Sequence, residues 1–301
     1  MNTLTTTQLL DNALKNHKPA SLSQILNGRG HSFATRKTLS RIPKPAATKT
    51  YAPVGHVQLI NKVEKIILGE RPELTLVGET HNVSCNGQVL ETSLVLSDKS
   101  MATDTPTAAD FIMPTVTIRN SYNKWIPVTF GASGRIMICL NGMMSSTGFY
   151  FARKHTDNVW DDITAYAMLT AEKLPEMTDA FVASAEKMKG NEITVNEGYE
   201  VLGKLYGNGV LTASANNVAF ADWNKPRHGV FEERNMWSLY NCANEGLKKV
   251  DAYSRMKSHF ALHHYMTTGD FDNTGFIKES DKTGFKREDG FNDRGYKIAE
   301  A

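Results

Sequence analysis

Apolar residues in this chain recur first at strand spacing and then at helix spacing. LTLVGET (74–80), VLETSLVLS (89–97), FIMPTVTIRNS (111–121), WIPVTFG (125–131) and GRIMICLNG (134–142) read as about five strands. Asn86-Gly87 between the first two is a strong hairpin signal. One helix interrupts the strand-rich part: VQLINKVEKIILGE (57–70) carries Val57, Leu59, Ile60, Val63, Ile66 and Ile67 as an apolar stripe. From about residue 150 the spacing becomes helical. Helices are predicted within 158–189, with Pro175 as a break or kink, and within 197–207, 233–249 and 251–267. Trp237, Leu239 and Tyr240 are core candidates there.

Strands first and helices second predict an α+β fold, and neighbour pairing makes the sheet mainly antiparallel. The expected organisation is a basic N-terminal arm (1–50), a single α+β domain (51–268) and a charged tail (269–301). The arm holds two short helical signals, one with Leu9, Leu10, Ala13 and Leu14 on one side, the other SLSQILNG ending at Gly28. The tail repeats Gly-aromatic steps at Gly275-Phe276, Gly284-Phe285, Gly290-Phe291 and Gly295-Tyr296 among many charges. That composition predicts disorder, with aromatics able to stack on bases or dock on a host or phage replication protein.

A hydrophobic share of 41% with 22% charged residues is that of a soluble globular protein. No apolar run approaches the roughly 20 residues needed to span a bilayer. Cys85, Cys139 and Cys242 lie far apart in no metal-ligand spacing, and the N-terminus lacks the pattern of a secretory signal, so a cytoplasmic location is expected. Residues 1–60 hold Lys15, Lys18, Arg29, Arg36, Lys37, Arg41, Lys44 and Lys49 against Asp11. That net +7 leaves −5 for the rest of a chain carrying +2 overall. A basic arm on a mildly acidic body points to a polyanion partner; a plain soluble linker is the alternative.

Phosphate-loop, GxGxxG, GxSxG and HExxH motifs are all missing, so no cofactor is implied. Asp161-Asp162 and Glu232-Glu233 suit helix starts. Glu73, Glu79 and Glu91 fall on strands without the lysine that a metal nuclease would place beside them. Arg255, His259 and His263 share one helix face, read as solvent-exposed before it is read as a metal site or a basic, aromatic-flanked surface. Cations beside aromatics recur at Lys124-Trp125 with Arg135, at Phe149-Tyr150-Phe151-Ala152-Arg153-Lys154-His155, and at Trp223-Asn224-Lys225-Pro226-Arg227-His228. Single strands are held this way, by cations on phosphates and flat side chains against bases. Aromatic cores with charged rims look the same in sequence.

Residues 118–142 resemble the phage- and plasmid-like proteins grouped as domain of unknown function 932. The matching residues are Asn120, Ser121, Tyr122 and Asn123, then Arg135, Cys139, Asn141 and Gly142. Asn235, Trp237, Tyr240, Asn241 and Ala243 match a later segment, and Tyr51-x-Pro53 an earlier one. The chain departs from the pattern at Lys124-Trp125, where the family carries a small Gly/Ser pair. The resemblance covers about residues 50–265 and implies carriage on a mobile element without assigning an activity. By analogy of layout the chain is also similar to phage single-strand annealing proteins of the RecT, Redβ and Erf types, which form rings or filaments.

The expectation is therefore a non-enzymatic DNA-binding protein that binds or anneals single strands in replication or recombination. Lys124, Trp125, Arg135, Arg153, Lys154, Lys225 and Arg227 would hold the strand, with Arg36, Lys37 and Arg41 adding salt-sensitive attraction. The alternatives are a host-protein-binding counter-defence protein and a metal-dependent nuclease.

Overall fold

The computed structural model describes residues 18–28, 30–98, 112–136, 142–144 and 150–271. The first predicted helix, Cys139, Asn141 and the tail beyond Phe271 lie outside them. The fold is α+β, with an antiparallel sheet in the N-terminal half and helices after it.

Strands β1 (Ser32–Ala34), β2 (Leu74–Ser84), β3 (Val89–Asp98), β4 (Ile112–Ser121) and β5 (Val128–Ile136) lie side by side in chain order. The next position is shared by two short segments, β6 (Gly142–Met143) on Gly134 and Arg135, and β7 (Tyr150–Arg153) on residues 128–131. Among the described residues the sheet thus has six strand positions rather than about five. The expected split of β5 at Gly131 and Gly134 does not occur. A Cβ on Gly134 would sit 2.9 Å from Ile112 Cγ2 and 3.2 Å from the Phe181 ring, so this glycine marks a close approach inside a strand, not a turn.

One sheet face carries Leu90, Leu94, Val116, Ile118, Phe130 and Ala132. It is covered by α3 (His56–Glu70) and by α4 (Val159–Lys189), which follow the short α1 (Leu22–Asn27) and α2 (Arg36–Leu39). Pro175 neither breaks nor ends α4. Its missing N–H leaves the Ala171 carbonyl without an intrahelical donor, and the Arg71 guanidinium supplies one (3.3 Å). Asp161 and Asp162 stand in the first turn of α4, as expected. The other sheet face is polar. Glu91 there pairs with Arg119 across the strands, and Thr117 bonds Ser133 at 2.8 Å.

Helices α5 (Val195–Gly207), α6 (Ala213–Asn224) and α7 (Met236–Leu247) extend the core, and Trp237, Leu239 and Tyr240 are buried in it. Helix α8 (Ala252–Thr268) reaches the polar face, where Arg255 binds Glu91 Oε1 at 2.8 Å and Phe260 packs on Tyr150. Arg255, His259 and His263 are therefore buried, not the solvent face expected. Phe271 stacks on Tyr265, so the first residues after α8 still dock on the domain.

Residues 18–50 are no free arm. Ile25, Leu39 and Ile42 join the core, and β1 pairs with β2. The Asn86-Gly87 turn receives them: Asn86 Nδ2 donates to the Leu26 carbonyl (2.8 Å), and a Cβ on Gly87 would meet Ile25 and Ile42 at 3.0 Å. Both residues of that turn have positive φ, as the hairpin signal requires.

Candidate nucleic-acid interface

Strand β4 ends in Asn120-Ser121, and a turn carries the chain to β5 at Val128. Ser121 Oγ donates to the Ile126 carbonyl (2.8 Å) and accepts the Ile126 N–H (2.9 Å), clamping both ends of the turn. Asn123 Oδ1 accepts from the Trp125 N–H at 3.1 Å, an Asx-turn. Between these clamps Lys124 is held at φ 65°, in the left-handed region where a lysine is strained by about 1–2 kcal/mol. Trp125 beside it is 59% exposed, the most exposed large hydrophobic of the described residues.

Two further segments meet this turn. The tight turn Thr48–Tyr51 is closed by reciprocal backbone bonds (2.9 and 3.2 Å). The segment after β7 brings Lys154, His155 and Thr156, and the His155 carbonyl accepts the Ala52 N–H at 2.9 Å. Together they line a half-open cleft of about 250 Å³, formed by Thr50, Tyr51, Lys124, Ile126, Pro127, Lys154, His155 and Thr156. Lys124 Nζ stands 4.6 Å from the centre of the Tyr51 ring, a cation–π contact. Among the described residues no carboxylate lines the cleft.

Beneath the cleft a neutral polar network joins its walls. Asn120 is the hub: Nδ2 donates to the Val54 carbonyl (2.7 Å) and to His56 Nδ1 (3.0 Å), while Oδ1 accepts from His155 Nε2 (2.7 Å). His56 Nε2 donates to the Gly87 carbonyl (3.1 Å), which fixes Nδ1 as the acceptor. The Tyr122 ring stacks on His56 at 3.9 Å and its hydroxyl accepts the His56 N–H (3.0 Å). The Tyr51 hydroxyl donates to the Tyr122 carbonyl (3.0 Å). Burial pushes both His56 and His155 down to about 4, so each is neutral at pH 7, as the bonding pattern demands.

Of the ten cationic and aromatic residues singled out from sequence, Lys124 and Lys154 come together here, and Trp125 stands exposed on the turn beside Lys124 without lining the cleft. Arg153, next to Lys154, turns to Asp162 Oδ2 at 2.6 Å. Arg36 binds Glu64 (2.6 Å) and Glu79. Arg135 is half-buried on the polar sheet face, where its guanidinium donates to Thr80 Oγ1 at 2.8 Å. Arg227 pairs with Asp222 (3.0 Å) and Glu245 (2.6 Å). Lys37, Arg41 and Lys225 are exposed but do not line the cleft. The strand glutamates do not converge: Glu73 faces Arg71, Glu79 faces Arg36, and Glu91 faces Arg255.

Sequence reasoning missed Tyr51, Ile126 and Pro127 as parts of one cleft. The only signal for Tyr51 was its place in Tyr51-x-Pro53, 73 positions before the lysine it meets. No family model, curated protein or solved structure matches the chain. No described helix is long and apolar enough to cross a membrane.

Proposed function

We propose that this chain is a DNA-binding protein of a phage or plasmid, related to the family of domain of unknown function 932, and that it holds single-stranded DNA at the Lys124–Lys154 cleft. The observation that carries this reading is that Lys124 and Lys154 line one cleft, with the exposed Trp125 on the turn next to Lys124. The lysines take phosphate, and Trp125 offers a flat face to a base, an arrangement that favours an unpaired strand over a duplex. Strain supports the same reading. A lysine kept where glycine would fit without cost is a feature of the kind that gathers at functional sites. Binding unpaired strands is the step that annealing, in replication or recombination, would build on.

The test is a titration of labelled single-stranded and duplex DNA of one sequence at two salt concentrations. Single strands are expected to bind more tightly. Replacing Lys124 and Lys154 with glutamine is expected to flatten the log–log salt dependence by about 1.4, at about 0.7 per lost phosphate contact. No binding at low salt would end the proposal.

A further inference from the structure

We infer that residues 37–49 form a fixed phosphate track leading away from the cleft, so that a bound strand runs along Lys49, Lys44, Arg41 and Lys37. The inference rests on the DNA reading for the identity of the polymer. None of the four cations is a cleft wall.

The first observation is an alternation of anchors and cations. Leu39, Ile42 and Tyr51 are buried, while Lys37, Arg41, Lys44 and Lys49 beside and between them are exposed. Leu39 and Ile42 belong to the core, Ile42 lies over Gly87 in the β2–β3 turn, and the Tyr51 hydroxyl donates to the Tyr122 carbonyl. The anchors turn inward, and the cations are left to solvent.

The second is stiffness. Lys37 stands in α2, and the Arg41 N–H continues that turn by donating to the Thr38 carbonyl (3.1 Å). Lys44 lies between Pro43 and Pro45, whose rings fix their own φ and hold Ile42 and Lys44 extended. The reciprocal Thr48–Tyr51 bonds fix the turn that carries Lys49 and Thr50, and Thr50 lines the cleft. Cations on a backbone already set in place lose less freedom on binding than cations on a free arm.

The third is the surrounding charge. Residues 18–63 contain no Asp or Glu, and neither do the two turns the segment lies against, 84–89 and 121–128. The nearest carboxylates on α3 and β2, Glu64 and Glu79, are both bound by Arg36. Among the described residues, none of Lys37, Arg41, Lys44 and Lys49 has an ion-pair partner. Such a strip suits a phosphodiester backbone, whose counterions are released as each phosphate is neutralised.

The experiment uses the full chain and a labelled oligothymidylate of about 20 nucleotides, longer than the ~4–16 that one single-strand-binding domain commonly covers. Affinity is measured over a range of salt concentrations. Lys37→Gln, Arg41→Gln, Lys44→Gln and Lys49→Gln combined are expected to flatten the log–log salt dependence by up to about 2.8, at about 0.7 per lost phosphate contact. The urea midpoint should stay, since all four side chains are exposed. Lys204→Gln with Lys249→Gln, two exposed lysines of the helical half, is the control for net charge and is expected to leave the slope unchanged. An unchanged slope in the fourfold variant, or the same loss per charge in the control, overturns the inference. If replacing Lys124 and Lys154 then still flattens the slope, the cleft reading stands. A fourfold variant that loses slope while the Lys124 and Lys154 variant does not keeps the track and removes the cleft. Displacement of the strand by polyglutamate at matched charge assigns the track to acidic protein and overturns the inference. No binding of the strand at low salt ends both.

Discussion

Arg119 and Asn120 are neighbours on β4 and point to opposite faces of the sheet, into two polar clusters that treat charge differently. On the Arg119 side, Glu91 sits between Arg119 (3.7 Å) and Arg255 (2.8 Å). Burial would raise the Glu91 pKa, but the two guanidinium groups outweigh it and hold the carboxyl at about 2. On the Asn120 side the interior is neutral, two histidines and an amide with their hydrogens assigned, and the cations Lys124 and Lys154 stand at the surface. The first cluster consumes its charge in joining α8 to the sheet. The second places two lysines on the wall of a surface cleft. Cation-rich segments that look alike in sequence therefore separate by where the fold places them, Arg255 buried between helix and sheet, Lys124 and Lys154 on the wall of a cleft.

The largest effect is expected from breaking the first cluster. Glu91→Ala leaves two buried guanidinium groups facing each other and should cost about 3–5 kcal/mol, read from urea unfolding. Binding of DNA by the remaining folded protein should be unchanged, because the cleft lies on the other face. A loss below about 1 kcal/mol would show that this ion pair does not hold α8.

Asn120→Ala should cost somewhat less, about 2–3 kcal/mol, because it strands the His155 Nε2–H and the Val54 carbonyl in the interior. Unlike the first change, it should also weaken DNA binding, since it releases one wall of the cleft. Binding that survives intact would uncouple the network from the site.

Acid titration sharpens the contrast further. Burial holds His56, His155, His259 and His263 at about 4, below the unfolded value of 6.5. Between those values the unfolded chain binds more protons, so their contribution is complete above pH 6.5 and is lost as the pH falls toward 4. Glu91 and Glu79 add a second loss, from about pH 4.5 down to about 2; for Glu79 too burial opposes, and His81 and Arg36 prevail. Unfolding free energy measured at pH 7, 5 and 3 should drop in both intervals, with up to ~1.4 kcal/mol per pH unit for each group titrating. Equal stability at pH 7 and 5 would mean that the histidines are not buried as neutral groups.

Much of this architecture was legible in the pattern of residues. The helix at 56–70, the Asn86-Gly87 hairpin and the order of strands before helices all follow from local spacing and turn chemistry. Helix α6 was not legible, because the buried stripe of ASANNVAFADWN is only Ala215, Ala219 and Trp223 among polar neighbours. A Cβ on Gly246 would lie 2.3 Å from the Ala215 carbonyl oxygen, so α6 and α7 meet backbone to backbone. The docking of residues 18–50 was hidden too, because three apolar side chains, Ile25, Leu39 and Ile42, are too sparse to set a period. At the site, Lys124-Trp125 stood out as a departure from the resembled pattern. Its meaning needed the backbone: position 124 requires positive φ, and the chain places a lysine there. The partners of Arg255, Arg36 and Arg227 could not be read at all, since Glu91 lies 164 positions from Arg255.

Lys124→Gly separates fold from function at a single position. Glycine takes φ 65° without strain, and the loss of the Tyr51 contact, about 0.5–1 kcal/mol, offsets part of that gain. The direct test is to measure unfolding free energy and single-strand affinity on the same preparation of this variant. Stability equal to or above that of the parent, with affinity down about tenfold, is the predicted result. Unchanged affinity at unchanged stability would mean that Lys124 is an ordinary turn residue and that the cleft does not hold DNA.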